Sequence, residues 1–339
     1  MSLFLTSRPR NLVGAAVLLA VLLTALLTNL SHAGPSGPLH RVADIPLPGD
    51  TSRFDYESLD PQSGRLAIAH LGAGTVVIVD ARAGRVLGEV PGVSQVHGVL
   101  SVPARHRLYA SATGTGQVAV IDLDRRRVLA EIPAGVYPDG LAYDPVNENL
   151  YVSDESGGTD SVISTRTNRN IATIPLGGHI GNTQYDPVSG LIMVAVGAPA
   201  QLCLIDPQTN RLVRCVPLPG ADSPHGLLLD APNRLAFVAC EGNSRLLTVS
   251  LKTMQVTQNQ KVGSDPDVLA FDPGLRRLYV ASEEGPLAVF QEQAGGLTRL
   301  GDIAVGENAH SVAVDPQTHR VYLPLKDEGG RPVLRVMAP

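Results

Sequence analysis

Apolar and polar positions along this chain follow one phrase, repeated seven times. Each copy opens with a short apolar run and reaches a proline-centred turn. It continues through a run such as Arg277-Leu-Tyr-Val280, passes a loop, and ends on a run such as Val118-Ala-Val-Ile-Asp122. Alternating Val, Ile and Leu is the period-two signature of half-buried strands, and stretches such as Ala112-Thr-Gly-Thr-Gly116 supply the turns. In the second copy the pattern predicts strands over Gly98–Val102, Arg107–Ser111, Gln117–Asp122 and Arg127–Ile132, four to a copy. No amphipathic helix of useful length is predicted after residue 33.

The marker prolines are Pro61, Pro103, Pro145, Pro187, Pro232, Pro273 and Pro316, spaced by 42, 42, 42, 45, 41 and 43 residues. A fixed period of that size in strand-like sequence means a propeller or a solenoid. The chain ends decide between the two. The last copy begins at His310, reaches a third strand near Val333–Val336, and stops without a fourth. The missing piece stands near the other end, where His40-Arg-Val-Ala-Asp-Ile-Pro-Leu-Pro48 resembles Asn210-Arg-Leu-Val-Arg-Cys-Val-Pro-Leu-Pro219, the fourth strand of the fourth copy. The N-terminal segment is therefore expected to supply the outer strand of the last blade and leave no open sheet edge. The fold class predicted is all-β: a seven-bladed β-propeller of four-stranded blades, one domain over residues 34–339.

Composition refines this picture. The 339 residues would suggest two or three domains, but seven units make one closed body. There is no Trp, so the Trp-Asp signature of WD40 blades is absent and the core must rest on aliphatic residues with some Tyr and Phe. Residues 1–33 read as a secretory signal: Arg8 and Arg10 precede an apolar run from Leu12 to Leu30, and Ser31-His32-Ala33 offers small residues for cleavage. The rival is an uncleaved anchor, since the run nearly reaches spanning length. The signal reading places the protein outside the cytoplasm, periplasmic or extracellular, with no membrane span once it is removed. Without Arg8 and Arg10, 25 Lys and Arg face 32 Asp and Glu, a net charge of −7 with no basic stripe. That argues against nucleic acid as a partner. Cys203 and Cys215 face one another if their strands pair around a turn at Pro207–Asn210 with Asp206 opposite Leu212. They are then either a disulfide or two small apolar side chains, and Cys240 is left over.

Leu108-Tyr-Ala-Ser111, Leu150-Tyr-Val-Ser153, Leu278-Tyr-Val-Ala-Ser282 and the junctions Ile132-Pro-Ala-Gly135 and Tyr137-Pro-Asp-Gly140 resemble the YVTN-type propeller repeat of exported YncE-like proteins. The resemblance covers roughly residues 40 to 338. It implies the propeller fold, and proteins of this type include surface-layer repeats, binding proteins and relatives of lactonases and lyases. A shared fold does not fix a function.

Six residues before the marker prolines stand Asp55, His97, Asp139, Gly181, Asp267 and His310, and the equivalent in the fifth copy is His225. In a propeller these seven positions form one ring where the innermost strands begin, at the mouth of the central channel. His97, His225 and His310 are the candidate metal ligands, since imidazole with interleaved carboxylate is a donor set that divalent transition metals prefer. Asp55, Asp139 and Asp267, with Arg53, His179 and, a step deeper, Glu57, are candidates for binding a ligand. Glu155, Glu241 and Glu283 are among the acids that loops bring to the same face, and an acidic mouth attracts cations. A bland reading stands beside this one: an Asp or His after a junction proline can cap its own turn, and a polar ring can simply wet a channel. The two differ in direction, since caps point at their own backbone and ligands at a common centre. Asp80, Asp122, Asp206 and the Asp-Pro pairs read as turn formers. The chain has no P-loop, GxSxG, HExxH or Cys-x-x-Cys motif. The expectation is a binding or scaffold protein for a small molecule or protein partner, with a divalent metal as the possible cofactor. The alternative is a metal-dependent lactonase, lyase or oxidoreductase using the same ring.

Overall fold

The computed structural model describes Gly37–Pro339 apart from Gly295, so the signal segment read over residues 1–33 lies outside the described residues. Seven four-stranded antiparallel sheets, one per repeat, make a seven-bladed β-propeller. Blade 1 is built from Glu57–Asp60, Arg65–His70, Thr75–Asp80 and Arg85–Pro91, innermost strand first. Blades 2 to 6 repeat this order, with innermost strands Val96–Val102, Pro138–Asp144, Ile180–Asp186, Pro224–Asp230 and Ser264–Asp272. Blade 7 takes Ala313–Asp315, Arg320–Leu325 and Val333–Ala338 from the C-terminal end and His40–Pro46 from the other. His40 pairs with Ala338 and Pro46 with Val333. No helix among the described residues is long and apolar enough to cross a membrane.

The core lies between blades, because each sheet is apolar on both faces. Ala67, Val76 and Ile78 of blade 1 pack with Val99, Leu108 and Ala119 of blade 2, and the other clusters join neighbours in the same way. Tyr109, Tyr151, Tyr279 and Tyr322, all on second strands, are the largest fully buried side chains. Burying each ring contributes on the order of 2 kcal/mol.

The Asp-Pro turns lie on the face opposite the channel mouth, and there every aspartate is satisfied. Asp60, Asp144, Asp186, Asp272 and Asp315 each accept the backbone N–H two residues on, at 2.8 to 3.1 Å. A side chain of a neighbouring blade then clamps several of them. Arg82 donates to both oxygens of Asp315, Arg234 to both oxygens of Asp186, and His319 sits 2.7 Å from Asp272. These links, together with the same turn use by Asp80, Asp122 and Asp206, agree with the turn-former reading.

Cys203 and Cys215 are directly paired in blade 4 and joined as a disulfide. The register near the turn differs by one from the expected one: Asp206 faces Arg211, and a bulge between Leu204 and Ile205 restores the cysteine pairing. Cys240 is free and buried, and burial pushes its thiol up to about 12, so it is an inert core side chain.

Candidate functional site

The innermost strands do not run regularly into the channel mouth. In blades 2 to 6 the pairing with the second strand breaks within the first few residues, between Val96 and Val99, Pro138 and Leu141, Ile180 and Thr183, Pro224 and Leu227, and Pro266 and Leu269. The ring residues His97, Asp139, Gly181, His225 and Asp267 all stand inside these breaks. A bulge re-aims the side chain it carries. Here it turns a residue that a flat strand would give to a sheet face toward the channel axis.

The blades approach closely at this level. A Cβ on Gly226 would overlap the Asp267 carbonyl of the next blade, and one on Gly181 would lie 2.5 Å from the His225 Cα. Gly181 is therefore the gap in the ring because it makes room for its histidine neighbour.

A cavity of about 460 Å³ opens above the ring. Asp55, His97, Asp139, His225 and Asp267 line it, together with Arg53, Tyr56, Tyr137, Glu155, Glu241 and Glu283. Tyr56 crosses beneath. Its hydroxyl lies 3.0 Å from Asn182 Oδ1 and 3.3 Å from Asp267 Oδ1, so one phenol from blade 1 spans to blades 4 and 6. It separates the mouth from a smaller cavity of about 160 Å³ that Glu57 lines. Burial holds the Glu57 carboxyl well above the usual carboxylate range.

None of the ring carboxylates caps its own turn. Both oxygens of Asp55, Oδ2 of Asp139, Nδ1 of His225 and Nε2 of His310 are enclosed without a hydrogen-bond partner. They face one another instead. His225 Nδ1 is 3.3 Å from both Asp267 Oδ1 and Glu241 Oε1, its Nε2 is 3.6 Å from Asp139, and His310 Nε2 is 3.7 Å from Asp55. Three groups of donors come close enough to share one ion: Asp55, Asp267 and His310; Asp139, Glu155 and His225; and His225, Glu241 and Asp267.

The three histidines are thus each set among carboxylates, and among the described residues they form no three-imidazole group. His97 belongs to none of the three groups. Its Nδ1 meets the Gln95 carbonyl at 2.9 Å and its Nε2 takes the Tyr137 hydroxyl at 3.0 Å, with Asp55 at 3.8 Å. His179 is exposed at the rim, 3.4 Å from Glu155. Arg53 pairs with Glu283 at 2.8 Å and approaches Asp55 only to 3.7 Å. Two loop acids, Glu155 and Glu241, join the ring through the donor groups. Asp154 and His70, from the same loops, do not: Asp154 accepts the N–H groups of Val136 and Tyr137, and His70 stacks on Phe54.

Burial and charge act against each other here. Burial alone would lower His225, but contact with Asp267 and the charges of Asp267, Glu241 and Asp139 hold it well above the ordinary value. His310 is raised in the same way by Asp55 and Asp267 against its burial. Burial keeps Asp139 well above the usual range despite His225. It would do the same to Asp267, which instead lies below its ordinary value because of His225, His310 and Arg53. Burial, opposed by His225 and reinforced by Asp267 and Glu155, pushes Glu241 up to about 7.

No protein-family model and no curated protein matches the chain. Among solved structures its fold is similar to a Kuenenia stuttgartiensis hydrazine synthase chain, with a TM-score of 0.70 and 16% identity over 87% of this chain and 95% of that one. It is also similar to U3-55K, with a TM-score of 0.75 and 11% identity over 88% of this chain and 98% of that one. At these identities the likeness is one of fold. Propellers commonly serve as platforms that bind partners, which suits a binding or scaffold role in general.

Proposed function

We propose that this chain is an exported binding propeller of the YVTN type, and that its channel mouth takes a divalent metal ion with room above for a small polar ligand. The observation that carries the reading is the set of enclosed, unpartnered atoms of Asp55, His225 and His310 facing other donors at 3.3 to 3.7 Å. Those separations are too long for strong hydrogen bonds. They match two ligands of one ion: donors each about 2.1 Å from a tetrahedral centre stand about 3.4 Å apart. A buried carboxylate costs stability unless a cation faces it, and a metal ion would take the place of the protons that His225 and His310 otherwise hold there. Arg53 would hold an anionic group of the ligand.

Protein purified without a histidine tag is expected to carry divalent metal by elemental analysis, and the His225→Ala, His310→Ala double variant to lose it. His97→Ala should keep most of it. Folded protein that arrives metal-free and takes up neither Zn²⁺ nor Mn²⁺ on dialysis would overturn the reading, leaving a scaffold for a protein partner. The cavity of about 460 Å³ beside the donors favours one second reading, a metal-dependent enzyme such as a lactonase acting on a small substrate held there.

A further inference from the structure

Two of the three donor groups share the Asp267 carboxylate. Asp55, Asp267 and His310 make one group; His225, Glu241 and Asp267 make the other. We infer that the mouth is a dinuclear site, with two divalent ions bridged by the Asp267 carboxylate and one imidazole on each ion. This inference rests on the metal-binding reading above and adds the number of ions and their arrangement.

Three independent features support it. The first is the second ring nitrogen of each histidine. A metal-bound imidazole generally gives its other N–H to a carboxylate or carbonyl, which fixes the ring. His310 Nδ1 lies 3.2 Å from the Asn308 carbonyl, leaving the enclosed Nε2 for the first ion. His225 presents its enclosed Nδ1 3.3 Å from both Asp267 and Glu241, the donors of the second ion, while its Nε2 stands farther off, 3.6 Å from Asp139. The shorter separations at Nδ1 favour this group over the rival one of Asp139, Glu155 and His225, which Nε2 would have to serve.

The second feature is charge. Asp55, Asp139, Asp267, Glu241 and Glu155 bring five carboxyl groups around His225 and His310, and two divalent ions would let them ionise where metal replaces the protons. One ion would offset less of that charge in an enclosed site, where an unbalanced charge is expensive. Arg53 offsets little of it, because Glu283 pairs with it at 2.8 Å while Asp55 stands 3.7 Å away.

The third feature is the support of the bridge itself. Asp267 sits on the innermost strand of blade 6, 5% exposed, between His225 of blade 5 and His310 of blade 7. The Tyr56 hydroxyl holds its Oδ1 from below at 3.3 Å, and the Val268 N–H donates to the His310 carbonyl. The carboxylate is thus fixed between two blades, one for each ion.

The test is metal stoichiometry. Chelator-treated protein is dialysed against Mn²⁺ or Zn²⁺ and counted by elemental analysis, with electron paramagnetic resonance on the Mn²⁺ form. The expected result is two ions per chain and an exchange-coupled Mn²⁺ pair. His225→Ala and His310→Ala should each halve the count and leave an uncoupled Mn²⁺ signal, and Asp267→Asn should abolish coupling. The wild-type count and spectrum need no variant to fold. One ion per chain in the wild type, or coupling that survives Asp267→Asn, would overturn the dinuclear inference while metal binding itself stands. No ion at all would overturn both.

Discussion

The two faces of this ring use the same residue types and treat them in opposite ways. On the face of the Asp-Pro turns, Asp186 and Asp315 are fully buried, yet each caps a backbone N–H and meets a guanidinium from the next blade. At the mouth, Asp55 and Asp139 are as deeply buried and lack such partners. Distance along the strand is only five residues. The difference is local backbone: a tight turn presents its own amides to a carboxylate, whereas a bulge swings the side chain away from them. A buried aspartate here is therefore a structural clamp or an unsatisfied donor according to which end of the strand it occupies, and its identity alone does not decide.

The largest effect should come from breaking a clamp. Arg82→Ala leaves Asp315 buried without its cation and is expected to destabilise the fold by roughly 3 kcal/mol, somewhat less if water reaches the site beside the partly exposed guanidinium. Denaturant unfolding measures it, and a midpoint equal to wild type would show that the turn amides alone suffice for Asp315. Asp139→Asn should act the other way. It removes a carboxylate that burial already disfavours, so the metal-free protein should gain roughly 1 kcal/mol while its affinity for Zn²⁺ falls. Loss of stability in that variant would place Asp139 with the clamps.

The smallest effect is a difference in pH dependence. His225 and His310 bind their protons more tightly in the folded state, so their contribution is complete below the ordinary histidine value of 6.5 and fades as the pH rises through their folded values. Asp139, also raised, acts in the same direction. Asp186 and Asp315 are lowered, because their hydrogen bonds and arginines outweigh burial. Their contribution is complete above the ordinary value of 3.8 and fades as acid carries the pH through their folded values. Thermal melts of chelator-treated protein should show higher stability at pH 6 than at pH 8, with acid loss only below about pH 4. Added metal should cancel the first trend, since ions replace the protons. A flat profile between pH 6 and 8 would mean that the mouth is already balanced without metal.

The repeat made the ring positions readable, because equal spacing from Pro61 to Pro316 maps onto equal places in seven blades. It could not show which ends of the strands bulge, so the first strand of blade 2 begins at Val96 rather than at the expected Gly98. The irregularity that costs two residues of ladder is what aims His97 inward. Glu155 and Glu241 read only as acids in loops, since nothing in their spacing separates them from Asp154, which is taken up by the backbone of Val136 and Tyr137. In the sequence Tyr56 is merely the residue after Asp55; that its hydroxyl crosses to Asn182 and Asp267 depends on contacts between positions 126 and 211 residues apart. Gly181, the one slot without an Asp or His, is explained by the backbone of His225.

The strand His40–Pro46 lies antiparallel to Val333–Ala338, with His40 and Ala338 at the same end. Tension applied through the two ends of the domain would load these pairs one at a time, from His40 and Ala338 inward, rather than all together. Pulled in that direction the ring opens like a zip. Because Arg335 fastens Asp44 at 2.8 to 2.9 Å partway along, the tear should pause there before blade 7 gives way.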